Sequence, residues 1–149
     1  MRRTANENKF SKYSRINHIL KDLNIHIASL ESYASLFDVI NKTKPNELYH
    51  LAAQSFVKDS FEDQFSTLNS NINGTHYILS AIKTISPETK FYFAGSSEMF
   101  GKASISPQNE NTPFHPRSPY AISKVTGFDL TRNYREAYNI FSVSGILFN

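Results

Sequence analysis

Residues 90–98 read Lys-Phe-Tyr-Phe-Ala-Gly-Ser-Ser-Glu, and this stretch decides the fold. Residues 90–95 form a short apolar, aromatic run, the pattern of a buried strand. Ser96, Ser97 and Glu98 follow at its C-terminal end, where open α/β sheets bind their ligands. Downstream, Pro113-Phe114-His115-Pro116-Arg117-Ser118-Pro119 is rigid and irregular. It ends where a helix begins, because Ser118 suits an N-cap and Pro119 the first helical position. The pattern predicts a helix over 118–138, with Tyr120 in its first turn and Lys124 four residues on, on the same face. A free tyrosine has a pKa of about 10, and a nearby ammonium favours the phenolate. Lys124 is therefore expected to make Tyr120 a base usable near neutrality. Ser96 can hold the same substrate hydroxyl, and Glu98 adds a second titratable group. Tyr-x-x-x-Lys alone is weak, since many helices carry a packed ring and a solvated lysine at that spacing.

Outward from this centre, the chain alternates helical and strand patterns. Residues 1–12 read as a polar loop and 13–23 as a short helix, followed by a candidate strand at 24–28. Tyr33, Leu36, Phe37 and Ile40 recur at helical spacing within 31–43, and Pro45-Asn46 breaks that run. A second strand is expected at 47–52, then an irregular or briefly helical segment at 54–63. A long helix is expected over 66–85, with Leu68, Ile72, Thr75, Tyr77, Ile78, Leu79 and Ile82 inward and Gly74 allowing close packing. A last strand is expected at 140–147. This order implies an α/β fold, a doubly wound parallel sheet of Rossmann-like type covered on both faces. The strand ends of 47–52 and 90–95 should lie side by side. The strand, Gly-rich turn and helix that open such folds and seat a pyrophosphate are not recognisable, with five glycines in all. The sheet is therefore expected to be incomplete.

Composition narrows the function classes. The chain has 149 residues, about one domain's worth, with 40% hydrophobic and 19% charged residues, enough for a globular core. A net charge of +3, with acids interspersed, favours an ordinary surface over nucleic-acid binding. The absence of cysteine excludes disulfides, thiol nucleophiles and thiolate metal sites. The five histidines show no metal-ligand spacing, so no metal is expected. No apolar run approaches the roughly 20 residues of a membrane helix, and no secretory signal is recognisable, so a cytoplasmic protein is the expectation.

Several runs carry a resemblance. They are Arg2-Arg3-Thr4, the stretch Glu47-Leu48-Tyr49-His50-Leu51-Ala52-Ala53-Gln54-Ser55, residues 91–101, and Pro107-Gln108-Asn109-Glu110-Asn111-Thr112-Pro113-Phe114. Pro116-Arg117-Ser118-Pro119-Tyr120, Asn133-Tyr134-Arg135-Glu136 and Gly145-Ile146-Leu147-Phe148-Asn149 follow. Together they resemble the extended short-chain dehydrogenase/reductase superfamily, and within it the GDP-mannose 4,6-dehydratase family of GDP-fucose biosynthesis. The resemblance implies a lyase that converts GDP-mannose to GDP-4-keto-6-deoxymannose by internal hydride transfer and water elimination, with NADP as cofactor. It implies Ser96, Glu98, Tyr120 and Lys124 as catalytic residues. Tyr120 would deprotonate the sugar C4 hydroxyl, Ser96 would hydrogen-bond the C4 oxygen, and Lys124 would bind the nicotinamide ribose. Glu98 would remove the C5 proton and supply one to the departing C6 hydroxyl. The cofactor side would comprise Leu51, Ala52, Ala53, Gln54 and Ser55, together with Arg2, Arg3 and Leu30. Of these, Arg2 and Arg3 would favour the extra phosphate of NADP and contribute to tetramer contacts. Ser55 and Asn149 would reach the nucleotide-sugar.

The departures from the family pattern matter too. The family's Asp-Leu pair near the adenine stands here as Ser29-Leu30, and a tyrosine usual after Ser60-Phe61 stands as Ser66. Residues 1–149 are expected to be part of an NADP-binding domain, truncated at both ends and lacking the C-terminal substrate domain. Alone they should be inactive and bind NADP weakly. Two alternatives stay open: another sugar-nucleotide epimerase, dehydratase or decarboxylase on this fold, and a non-catalytic remnant.

Overall fold

The computed structural model describes residues 14–148. Among them a 3₁₀ helix at Ser14–Asp22 precedes α1 (Tyr33–Thr43), β1 (Glu47–His50), α2 (Val57–Glu62) and α3 (Gln64–Leu68). A π-turn at Asn69–Asn73 leads into α4 (Gly74–Ile85), then come β2 (Lys90–Ser96), a 3₁₀ turn at Ser97–Met99, α5 (Pro119–Tyr138) and β3 (Ser142–Leu147). The strands pair in the order β1-β2-β3, all parallel. The register places Glu47 opposite Lys90 and His50 opposite Phe93, so the ends of β1 and β2 lie side by side as expected.

Local chemistry explains the helix boundaries. Ser118 accepts a hydrogen bond from Ala121 N at 3.0 Å, with Pro119 at the first helical position, and α5 starts where the capping signal puts it. It stops at Asn139, whose left-handed φ of 53° returns a hydrogen bond to Tyr134 O. Ser32 caps α1 in the same way.

The core lies on one face of the sheet. Phe91 and Phe93 of β2 meet Ile40 of α1, Leu79 and Ile82 of α4, and Tyr134 of α5. Phe91 and Phe93 are almost fully enclosed, and burial of each such side chain contributes about 1.5–3 kcal/mol. Two close approaches need glycine. A Cβ on Gly127 would collide with the Phe93 ring at Cζ, so α5 rides directly on β2. One on Gly74 would lie 2.8 Å from Leu30 Cβ, the close packing expected there.

Three expectations change. The sheet is covered by helices on one face only among the described residues, with Tyr49 61% and Val143 40% exposed on the other. The physical reason is the strand order. Right-handed crossovers that step in one direction place every helix on the same side, and the second face is covered only where the order reverses. The expected strand at 24–28 does not form; its residues are irregular, exposed and outside the sheet. A strand exists through its ladder, and β1 offers its described pairing to β2 alone. The long helix of 66–85 is interrupted by the π-turn. Its buried positions there are polar, Thr67 and Asn71, while Leu68 and Ile72 are only half-buried. The extra residue in the π-turn shifts the inward face away from the apolar period.

Candidate active site

The C-terminal ends of the three strands open onto a cleft of about 150 Å³. Leu51, Ala53 and Ser55 form one wall, and Tyr120 and Lys124 the other. Between them lie Gly95 and Ser96 at the end of β2 and Leu147 at the end of β3. Parallel strands place their ends at one edge, so segments far apart in sequence converge there.

Tyr120 and Lys124 project together from the first turns of α5, 9% and 4% exposed. Lys124 Nζ donates to Ala94 O at 2.7 Å and lies 5.0 Å from the centre of the Phe93 ring. Burial brings its pKa down to about 8. Burial also pushes the Tyr120 phenol above its usual pKa; hydrogen bonding with Ser96 pulls it back, and the Glu98 charge raises it further. The expectation that Lys124 lowers the Tyr120 pKa is therefore not met in this structure. The ammonium is turned to the Ala94 carbonyl, 5.8 Å from the Tyr120 ring centre, and desolvation dominates. The phenol is accordingly neutral at neutral pH.

Glu98 is exposed on the 3₁₀ turn, where its N–H donates to Ser96 Oγ at 3.2 Å. It does not line the cleft, but its carboxylate is near enough to act on Tyr120. Ala52 and Gln54 stand in the same segment as Leu51, Ala53 and Ser55 without lining the cleft. Leu30 packs against α4 at Gly74, away from it. Arg2, Arg3 and Asn149 lie outside the described residues. Among the described residues, no helix is long and apolar enough to cross a membrane, and no group of three His, Asp or Glu side chains is placed to hold a metal.

A family model for GDP-mannose 4,6 dehydratase matches residues 1–149. The chain belongs to that family. It is 45% identical over 146 residues to a GDP-mannose 4,6 dehydratase of Drosophila melanogaster, a match covering 91% of this chain and 37% of the fly protein. The human GDP-mannose 4,6 dehydratase is 44% identical over 134 residues, covering 89% of this chain and 36% of its own. The chain thus spans little more than a third of the length of these relatives. Among solved structures, RMD from Pseudomonas aeruginosa, complexed with NADPH, superposes with a TM-score of 0.79 at 29% identity, over 85% of this chain and 43% of its own. A UDP-glucose 4-epimerase from Brucella ovis, complexed with NAD, gives 0.73 at 26% identity, over 78% and 36%. The α/β fold with a parallel, Rossmann-like sheet is shared with these neighbours.

Sequence reasoning missed part of this dehydratase-family site. Leu147 was findable by the rule that found Ser96, since it ends the neighbouring strand. The Ala94 carbonyl that holds Lys124 carries no sequence signal, because any residue supplies one.

His50, the last residue of β1, is 4% exposed, with Nε2 3.1 Å from Thr75 Oγ1. Burial, assisted by the Lys124 charge, lowers its pKa from 6.5 to about 4. The unfolded chain takes up this proton near pH 6.5 and the folded chain only near pH 4. Stability is therefore lost as pH falls through that window, by about 3 kcal/mol in all. Urea unfolding of the 149-residue chain at stepped pH should show this loss, and His50→Gln should remove that share of it. An equal slope in both proteins would contradict the assignment.

Proposed function

We propose that this chain is part of the cofactor-binding domain of an NADP-dependent GDP-mannose 4,6-dehydratase. That enzyme converts GDP-mannose to GDP-4-keto-6-deoxymannose. The observation that carries this reading is the convergence of Ser96, Tyr120 and Lys124 on one cleft, with the Glu98 charge acting on Tyr120. The residues present suit the nicotinamide-ribose end of a dinucleotide. Lys124 gives one of its three protons to Ala94 O, which leaves donors for ribose hydroxyls, and Leu51 and Ala53 offer an apolar wall. A bound nicotinamide supplies a reversible hydride acceptor.

The chain's own residues then divide the proton chemistry. Tyr120, once its phenol is ionised, takes the proton of the sugar C4 hydroxyl, and Ser96 donates a hydrogen bond to the C4 oxygen. The resulting 4-keto group acidifies the C5 hydrogen. Glu98 removes that proton, and the C5 electron pair forms the C5–C6 double bond as the C6 hydroxyl departs. Glu98 gives that proton to the departing hydroxyl, so water leaves and the carboxylate is restored; the hydride taken from C4 returns at C6 and a solvent proton at C5, which completes the 4-keto-6-deoxy product. In this reading Arg2 and Arg3 select the extra phosphate of NADP, and the enzyme acts as a cytoplasmic homotetramer.

The test is to incubate the full-length protein carrying this segment with GDP-mannose and NADP and to weigh the product. The expected product is lighter by one water and carries a 4-keto group. A product of unchanged mass with inverted stereochemistry would make it an epimerase, and an unaltered substrate would overturn any catalytic reading.

A further inference from the structure

Lys124 is 4% exposed, and among the described residues its ammonium has one hydrogen-bond acceptor, the Ala94 carbonyl at 2.7 Å. An ammonium carries three donors, so a buried one with a single acceptor is poorly compensated. The residue before Ala94 adds a second contact. Phe93, 2% exposed, sets its ring under the same nitrogen, 5.0 Å from the ring centre and inside the range of a cation–π interaction. The Tyr120 ring lies farther off, at 5.8 Å. Two consecutive residues of β2 thus hold Lys124, one by a backbone oxygen and one by the negative face of a ring.

The ring lies there because α5 leaves room for it. Gly127 follows Lys124 by three residues, so both stand on one face of the helix. A side chain at 127 would collide with the Phe93 ring at Cζ. The register puts His50 of β1 opposite Phe93, and the two rings pack with their centres 5.9 Å apart. A ring seated between a glycine notch and a neighbouring strand has little freedom to turn away from the ammonium.

We propose that Phe93 is a positioning residue for Lys124, whose ammonium its ring holds at the cleft, and that Gly127 is the notch that lets the ring lie there. A leucine would fill the same core and offer the charge nothing. Burial brings the Lys124 pKa down to about 8, and the ring works against that fall, because its negative face favours the charged form. The titratable groups nearby are His50, neutral above its pKa of about 4, Tyr120 on the same helix, and Glu98, whose charge acts on Tyr120. The cofactor part of this proposal rests on the dehydratase reading, in which the ammonium meets a ribose; the titration of Lys124 does not.

Titration of Lys124 in the 149-residue chain, followed by side-chain NMR, tests the contact. In Phe93→Leu the pKa should fall by about 1, a tenfold loss for the charged form. A difluorinated phenylalanine in place of Phe93 keeps the ring's shape and weakens its negative face. It should lower the pKa in the same direction, with the β2 amides as protected from exchange as in the wild type. Gly127→Ala should lower the pKa while Phe93 is present and leave it unchanged once position 93 is leucine, since its methyl group acts by displacing the ring. An unmoved or raised pKa in the fluorinated protein overturns the proposal, and so does an equal effect of Gly127→Ala in both backgrounds. In the full-length protein, Phe93→Leu should bind NADP about fivefold more weakly at pH 8, where about half of the wild-type ammonium and about a tenth of the variant's is charged, and about equally at pH 6. Binding weakened by the same factor at both pH values would mean general damage to the site and overturn the role of the ring. A wild-type protein that binds no NADP would instead sink the dehydratase reading and leave the titration to decide the contact.

Discussion

Replacing Tyr120 by Phe is expected to lower the turnover of GDP-mannose by the full-length protein about 10²–10⁴-fold, the usual contribution of a positioned acid–base group. The substitution removes one oxygen and keeps the ring, so the packing of α5 on β2 survives. Tyr120 is 9% exposed and lines the cleft together with Ser96. The loss should fall on kcat and on kcat/KM alike, because the proton is moved only in the transition state. Steady-state kinetics together with an unchanged circular dichroism spectrum check this. Activity within tenfold of wild type would show that another group takes the C4 proton. The phenol's raised pKa adds a pH signature. Because burial raises the Tyr120 pKa, the wild-type rate should climb with pH across the neutral range, and the Phe variant should lose that dependence.

Replacing Glu98 by Gln is expected to separate the two halves of the reaction. In the proposed mechanism oxidation at C4 uses Tyr120 and Ser96, both intact in this variant. Elimination needs a base for the C5 proton, and its rate should fall about 10²–10⁴-fold. A 4-keto sugar nucleotide that retains its C6 hydroxyl should accumulate on the protein, identified by mass after a rapid quench. Undiminished dehydration would assign the C5 proton elsewhere. The same variant has a reading independent of turnover. The Glu98 charge raises the Tyr120 pKa, so Gln should lower it, and ultraviolet titration of the phenol in the 149-residue chain measures this. An unmoved titration would place the carboxylate too far away for the proposed role.

Much of the site was legible because its signals are local. A serine and proline before Tyr120 set where α5 begins, and the helical repeat then puts Lys124 on the same face. The aromatic run of β2 and its polar end located Ser96. What escaped was set by contacts across the fold. The orientation of Lys124 depends on a carbonyl of β2, thirty residues away in sequence. The contacts of Asn71 with Gln54 and Ser123 span 17 and 52 residues of sequence.

By itself the sequence determined the alternation of helices and strands, the start of α5 and the pairing of Tyr120 with Lys124, because capping, periodicity and turn chemistry act within a few residues. Tertiary structure alone decided that residues 24–28 form no strand, that the helices cover one face, and that the Tyr120 pKa rises rather than falls. Strand formation needs a partner, coverage depends on the direction in which the crossovers step, and desolvation depends on everything that encloses the phenol. These are sums over groups remote in sequence, and local patterns carry no record of them.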